Sequence, residues 1–503
     1  MLAAVMTMAL AVPSADAALA HRDLPLVPAQ SARAFGDSMG VDVRLTYLTS
    51  SYKDFNPIEA RLKELGVRYV GDGFCPTCEY QITRLQRLAA DGIRANLGVG
   101  NLAGGTASID AGLRVIKNRL RNSVISVTTI NEPDISGNPN WIADTRWFTH
   151  ELYTRVNADP ALANLEVIGP ALVNRGSRAA LGDISGDLDR GNIHPYPGGA
   201  PPLHNIVDEF DLASKVSANK PLVATEIGYH TDTTPAYGGH YGASERAVAQ
   251  YMPRIALEAF VGGIERTYIY QFADLWSPSQ AQQYGVSKAE NSFGLLRWDL
   301  SPKPSFIALR NLLRVVDGDS APVASPDGMR LRLEGAGPDV QSLLLRSADG
   351  SYALALWRRV SVWDYIGAKD LYPAPDRVDV VLGQKVSLAR RFDPVESSSE
   401  TKRWDDPSRI PVDLAGAPIV LRLTPASAAG GGAIKKRQTA ARRRAARSRC
   451  GSALASSLHG RKRARRHHRA VACCTAPRKA RHRAHRRKRA TWSRACVSFG
   501  RRG

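Results

Sequence analysis

Between residues 41 and 317 one rhythm repeats eight times: a short β-branched run, a turn marked by Gly or Pro, then an amphipathic stretch. The runs are VDVRLTY (41–47), VRYVGD (67–72), RANLGVG (94–100), VISVTTINE (124–132), LEVIGPAL (165–172), GNIHPY (191–196), PLVATEIG (221–228) and RTYIYQF (266–272). Strand-like runs alternating with helical patterns predict parallel βαβ units. In NPIEARLKELG (56–66), Ile58, Leu62 and Leu65 fall on one helical face. EYQITRLQRLAADG (79–92) is a second helix, and Ser244 is placed to cap a third, SERAVAQYMPRIALEAF (244–260). Eight such units match a (β/α)8 TIM barrel in number and length, with an open doubly wound sheet as the rival.

After Val316 the period changes to short strands separated by turns: MRLRLEG, VQSLLLRSA, YALALWRRV, RVDVVLG, KVSLARRF and PIVLRLTP. This pattern predicts an antiparallel β-sandwich. The expected organisation is a signal peptide over 1–20, the barrel over 21–317, the sandwich over 318–427 and a disordered basic tail over 428–503. The linker ASAAGGGA (426–433) opens that last segment.

Charge separates the tail from the rest. Of the 68 Lys and Arg, 25 lie from Ile434 onward with no Asp or Glu among them. The residues before them then hold 43 basic and 47 acidic side chains, a net of −4 against +21 for the whole chain. A tail of this kind binds polyanions, and retention on an anionic cell-surface polymer is the expected use. Nucleic acid is not the expected partner, because no folded reader module accompanies the charge.

MLAAVMTMALAVPSADAALA (1–20) carries a short apolar stretch followed by Ala15-Asp16-Ala17, a small-x-small cleavage pattern. It is shorter than the roughly 20 apolar residues that span a bilayer, so a secreted or cell-surface associated protein without a transmembrane segment is expected. Cys75 and Cys78 form a CPTC pair, read as a local disulfide. The other four cysteines (Cys450, Cys473, Cys474 and Cys496) lie in the tail, so no zinc-ribbon partner pair is at hand. Gly98-x-Gly100-x-x-Ala103 loosely fits a dinucleotide pattern but lies on the third repeat and lacks the acidic ribose partner. No metal and no organic cofactor is expected.

In a barrel, reacting groups stand at the C-terminal ends of the strands. The fourth run ends in Asn131-Glu132, the sixth in His194-Pro195-Tyr196, and the seventh carries Glu226. Two carboxylates facing each other across a barrel mouth suit glycoside hydrolysis. INEPD ending a fourth strand and ATEIG ending a seventh resemble clan A glycoside hydrolases, the retaining (β/α)8 group that includes families 5 and 39. The sandwich resembles the accessory domain of the family 39 side. The resemblance implies that Glu132 is the general acid/base, Glu226 the nucleophile and Asn131 a ligand of the sugar 2-hydroxyl. It further implies that Tyr196 holds the nucleophile and His194 lines the site. Arg68 stands for the clan's second-strand arginine, with Gly71 at the other place where one is expected. Trp276 is the candidate for the tryptophan floor, although Tyr270 and Gln271 occupy the strand itself.

Each residue also has a plainer reading: Glu132 as a salt-bridge partner of Arg68, Glu226 as a turn cap, His194 as a core histidine. Trp141, Trp147, Tyr229, Tyr237 and Tyr241 are candidates either to stack on pyranose faces or merely to pack. YGGHYG (237–242) reads as a loop over the site. The expected activity is cleavage of β-glycosidic bonds in oligo- or polysaccharides. The rivals are a non-catalytic carbohydrate-binding or adhesion protein and an inverting hydrolase.

Deleting residues 428–503 removes no barrel strand and no candidate catalytic group. Binding to an anionic polymer should fall sharply, and its salt dependence with it, because counterion release scales with the charges engaged. Retention on anionic and neutral polysaccharide at two salt concentrations checks this; equal retention of both forms makes the tail inert.

Overall fold

The computed structural model describes residues 24–234 and 240–426. The leader (1–20) and the basic tail (428–503) lie outside the described residues, so their expected roles stay as sequence readings. Among the described residues no helix is long and apolar enough to cross a membrane.

Eight parallel strands form the barrel: β1 (Met39–Asp42), β2 (Tyr69–Gly73), β3 (Arg94–Gly98), β4 (Val124–Thr128), β5 (Glu166–Ile168), β6 (Gly191–Ile193), β7 (Leu222–Ile227) and β8 (Arg266–Ile269). They are hydrogen-bonded in the order 5-4-3-2-1-8-7-6. An isolated parallel bridge between Ile168 and Arg190 closes the ring between β5 and β6. Tyr69, Ile125, Ile168, Val223 and Tyr268, one from each of five strands, form a buried cluster of their own.

Local chemistry sets the helices. Asp54 caps helix Phe55–Leu65 by accepting from the Asn56 N–H (3.1 Å), and Gly66 ends it in the left-handed conformation at φ 86°. Ile58, Leu62 and Leu65 on its inner face are fully buried. Ser244 caps helix Glu245–Val261 as its sequence suggested, accepting from the Ala247 N–H at 3.1 Å.

The sandwich begins before the barrel, which corrects the expected limit at residue 21. Leu26–Val27 pairs with Met329–Glu334 in a four-stranded sheet completed by Asp376–Leu382 and Arg409–Leu414. Gln30–Ser31 edges a six-stranded sheet by pairing in parallel with Val340–Arg346. The other named strand pairs of the sandwich are antiparallel. Glu400–Asp405 and Arg409–Leu414 escaped the sequence reading. The first is an edge strand of exposed charged residues with no apolar alternation to betray it.

One face of the sandwich joins the barrel's hydrophobic core, while a separate buried cluster around Leu354, Val380 and Leu421 fills the sandwich itself. Trp357, Val362, Trp363, Phe392 and Val420 of the sandwich cluster with barrel residues such as Tyr251, Ile255 and Leu309. Helix Glu245–Val261 is the joint. Its Arg254 and Glu258 are both buried and form an ion pair at 3.4 Å. Arg254 Nη1 donates to the Val360 carbonyl (2.7 Å), and Trp357 Nε1 donates to Glu258 Oε1 (3.2 Å).

Glu258→Ala strands a buried guanidinium and an indole N–H, a loss of about 3–5 kcal/mol for breaking a buried pair from one side. Denaturant unfolding followed by tryptophan fluorescence should show that loss in one transition covering both layers. Two separated transitions would mean that the layers fold independently.

Candidate active site

β4 stops at Thr128, short of the sequence expectation, and the chain turns before it reaches the carboxylate. Glu132 has φ 43° and ψ 53°, a left-handed conformation that costs a non-glycine residue about 1–3 kcal/mol. Its neighbours hold it there. Pro133 opens a 3-10 turn over Pro133–Ile135. Asp134 in that turn accepts from the backbone N–H groups of Val173 (3.1 Å) and Asn174 (2.8 Å), in the loop after β5. Asn131 is exposed beside it.

Glu226 lies within β7, one residue from its end. His194 and Tyr196 follow β6, and a hydrogen bond from the Tyr196 N–H to the His194 carbonyl (2.9 Å) closes the turn between them. Tyr196 donates its hydroxyl proton to Glu226 Oε2 at 2.7 Å. His194 is buried between the two carboxylates, with Nδ1 2.8 Å from Glu132 Oε1 and 3.8 Å from Glu226 Oε2. One oxygen of each glutamate and one nitrogen of His194 all lie within 4.8 Å of one another. Such a trio could bracket a cation. Yet His194 already engages Glu132 and Thr225 with its two nitrogens, and Tyr196 already engages Glu226, so the arrangement suits a proton network better.

The hydrogen bonds around His194 fix where its protons are. Asn192 Nδ2 donates to the Gly169 carbonyl (3.1 Å), which turns its Oδ1 toward Thr225. That oxygen accepts from the Thr225 N–H (3.2 Å) and hydroxyl (2.9 Å). Thr225 Oγ1 has then given away its single proton and must accept from His194 Nε2, 2.9 Å away. With Nε2 protonated, the contact from Nδ1 to Glu132 requires a second proton, carried by the imidazole or by the carboxyl group. Burial alone would lower the His194 pKa. The charge of Glu226, the hydrogen bond to Glu132 and the Glu132 charge outweigh it and leave the histidine above its ordinary value.

Sequence reading missed the groups beneath Glu226. Arg44, just past β1, lies 5.0 Å over the Tyr270 ring. Tyr270 packs edge-on against Tyr196 (6.1 Å) and Phe293 (5.3 Å), and its hydroxyl donates to Glu290. Asp42 and Asp72 are buried at the ends of β1 and β2. Burial, reinforced by the Glu226 charge, raises Asp42 well above the usual carboxylate range. Burial pushes Asp72 up to about 7, against the pull of Arg44 and of hydrogen bonds from Gln81 Nε2 (2.9 Å) and the Leu45 N–H (3.1 Å). A side chain at Gly71 would place its Cβ 2.1 Å from Asp42 Oδ1, so the expected arginine has no room there. The signal for Asp42 and Arg44 was their spacing of two in VDVRLTY, which puts both on one face of a strand.

Several expected site residues lie elsewhere. Arg68 precedes β2 at the opposite end of the barrel, bonded to the Gly318 carbonyl (2.9 Å), Asp319 (2.7 Å) and Asp37 (3.2 Å). Those contacts also remove it as the salt-bridge partner of Glu132. Trp276 lies beyond β8 among Tyr47 (6.2 Å) and Tyr284 (5.5 Å), while Tyr270 takes the position against Tyr196. Tyr229 is buried against Tyr251 and donates to the Ala200 carbonyl. Trp141 packs beside Leu172 and Leu181, Trp147 is exposed on its helix, and Tyr241 packs on Tyr365 of the sandwich. Tyr237 lies outside the described residues. His240, in the same loop, is exposed, stacks on His230 (5.6 Å) and meets Tyr196 at 5.5 Å. Cys75 and Cys78 form a disulfide. The Cys75 N–H donates to Gln81 Oε1 (2.9 Å), tying that loop to the residue that holds Asp72.

No protein-family model matches the chain, and no curated protein matches it. Solved structures do. The fold is similar to a family 39 glycoside hydrolase from Bacteroides cellulosilyticus, with TM-score 0.55 and 15% identity over 79% of this chain and 83% of that one. It is also similar to a monomeric β-xylosidase from Caulobacter crescentus, with TM-score 0.53 and 15% identity over 80% of this chain and 98% of that one. At this identity the likeness defines the fold: a (β/α)8 barrel joined to a β-sandwich.

Burial holds the Asp72 carboxyl up to about 7 in the folded chain, against about 3.9 for an unperturbed aspartate. Folding therefore takes up a proton between these values, and its contribution to stability is lost as pH rises from about 4 to about 7. In Asp72→Asn that loss should disappear, so thermal melts from pH 4 to 8 should show the variant gaining on the wild type as pH rises. A difference that stays constant with pH would mean that Asp72 ionises normally.

Proposed function

We propose that the chain is a retaining glycoside hydrolase that cleaves β-glycosidic bonds of oligo- or polysaccharides with Glu226 as nucleophile and Glu132 as acid/base. The observation that carries this reading is the spacing of the two carboxylates. An oxygen of one lies within 4.8 Å of an oxygen of the other, which supports a close pair of the kind retaining enzymes use, whose carboxyl groups stand roughly 5–5.5 Å apart.

The surroundings support the division of labour. Tyr196 holds Glu226 Oε2, leaving Oε1 to attack the anomeric carbon. As the bond to the leaving oxygen breaks, Glu132 gives that oxygen its proton. Water then attacks the glycosyl ester and surrenders a proton to Glu132, which restores both groups. His194, sharing a proton with Glu132 at 2.8 Å, is placed to keep that carboxyl supplied. The leader supports secretion, and the tail supports retention on an anionic surface.

Aryl β-xylosides are the first substrates to try, since one structural neighbour is a β-xylosidase, followed by other aryl β-glycosides. Glu226→Ala should abolish turnover, and azide should restore it with formation of the glycosyl azide of opposite anomeric configuration. Glu132→Ala should spare dinitrophenyl glycosides, whose leaving group needs little protonation. Absence of hydrolysis across the aryl glycosides would leave the non-catalytic carbohydrate-binding protein as the better reading. Identical responses of the two variants would overturn the roles.

A further inference from the structure

Between the helices that follow β5 and β6 lies a charged pair that the double displacement does not use. Arg178, on helix Arg175–Leu181, and Glu209, on helix Leu203–Ser217, are 3% and 9% exposed. Arg178 Nη2 donates to Glu209 Oε2. Its Nη1 is buried with no hydrogen-bond partner in the chain, and a buried donor left unbonded is costly.

Arg178 lines a cavity of about 10 Å³, about the space that the centre of one water needs. Among the described residues that line it, Arg178 alone is charged, Asn192 and Ser217 are polar, and all but Asn192 are buried. Ser217 Oγ spends its proton on the Ala213 carbonyl (3.0 Å) and keeps lone pairs to accept with. Gly191 makes way for that hydroxyl, since a Cβ there would lie 2.3 Å from it. Asn192 spends one of its two amide protons on the carbonyl of Gly169 (3.1 Å), another residue of the wall. One water here finds four partners. It accepts from Arg178 Nη1 and from the second Asn192 N–H, and it donates to Ser217 Oγ and to the free lone pair of the Gly169 carbonyl. Glu209 already neutralises Arg178, which favours a neutral occupant over a small anion.

Asn192 is also the far end of the relay to His194. The oxygen and nitrogen of an amide are alike in size, so its partners alone choose which of them faces Thr225. Flipped, Asn192 would donate to Thr225 Oγ1, the hydroxyl would donate to His194 Nε2, and the ring would carry its proton on Nδ1 alone. The single proton would then face Glu132, with no second one for the leaving oxygen. Against the pull of burial, the charges of Glu226 and Glu132 and, after them, Glu209 favour the extra proton on the ring.

We propose that one water, bound between Arg178, Asn192, Ser217 and the Gly169 carbonyl, locks the Asn192 amide and makes Arg178 a positioning residue for the proton that His194 and Glu132 share. Its part in turnover rests on the glycosidase reading above; the water and the tautomer do not.

Three measurements on the full-length chain test this. A crystal structure should show a water within hydrogen-bonding distance of Arg178 Nη1 and Asn192 Nδ2; an empty cavity or a chloride there overturns the proposal. Nitrogen-15 spectra of histidine-labelled protein, with His194 assigned through His194→Gln, should show its Nε2 protonated. In Arg178→Met/Glu209→Met, apolar side chains replace the buried pair without stranding a charge, and part of the His194 signal should move to that of an unprotonated Nε2. Hydrolysis of phenyl glycosides by this variant should fall about tenfold, a share of the roughly 10²–10⁴ that an acid supplies, while dinitrophenyl glycosides are spared. Ser217→Ala takes one acceptor from the water and leaves the ion pair alone. It should move both readouts the same way by less, and it decides the matter if the double variant does not fold. An Nε2 that stays fully protonated in the folded variants, or equal losses on phenyl and dinitrophenyl substrates, overturns the proposal. A wild type that hydrolyses no aryl glycoside fails the glycosidase reading instead, and the crystal and resonance results still decide this one.

Discussion

The site depends on a buried imidazole wedged between two carboxylates. His194 keeps Glu132 and Glu226 close without letting them meet, and its charge state sets how much of their mutual repulsion survives. Removing it would leave two acids sharing a pocket with Arg44, a cation that already serves Asp42 and Asp72. The relay through Thr225 and Asn192 matters for the same reason. It leaves the imidazole no freedom of tautomer, so the only mobile proton in the group is the one facing Glu132.

Backbone strain is placed to serve this wedge. Glu132 sits in a left-handed conformation just before a proline, a local choice that a free peptide would avoid. Asp134 anchors the turn to the loop after β5, and the rest of the barrel meets the cost. The carboxylate thereby leaves the line of its strand and approaches His194 from the side.

Much of this was legible in the sequence, and what escaped did so for physical reasons. The eight runs and their turns announced the barrel because each strand is apolar and each is followed by a helical period. Glu132, His194, Tyr196 and Glu226 stood out because polar residues ending apolar runs are conspicuous, and the structure brings all four together. Arg68 misled because a residue flanking a strand does not declare which end it occupies; its partners Asp37 and Asp319 are remote in sequence. Asp42 and Arg44 were overlooked because charges inside a strand-like run, one buried and one half-buried, look like interruptions until the pleat aligns them. Trp276 was sought as a floor, but its place is set by loop packing that no periodicity encodes.

The two short strands at Leu26–Val27 and Gln30–Ser31 make the barrel an insertion within the sandwich rather than a domain ahead of it. Their partners, at Met329 and Leu345, emerge from the ribosome about 300 residues later. Both sandwich sheets must therefore wait for the whole barrel to be made, and the apolar face of helix Glu245–Val261 waits with them. A nascent chain halted at the end of the barrel would display that face and two orphaned strand edges. Completion of the last strand, Ile419–Pro425, is thus the step at which the protein becomes safe from its own unfinished surfaces.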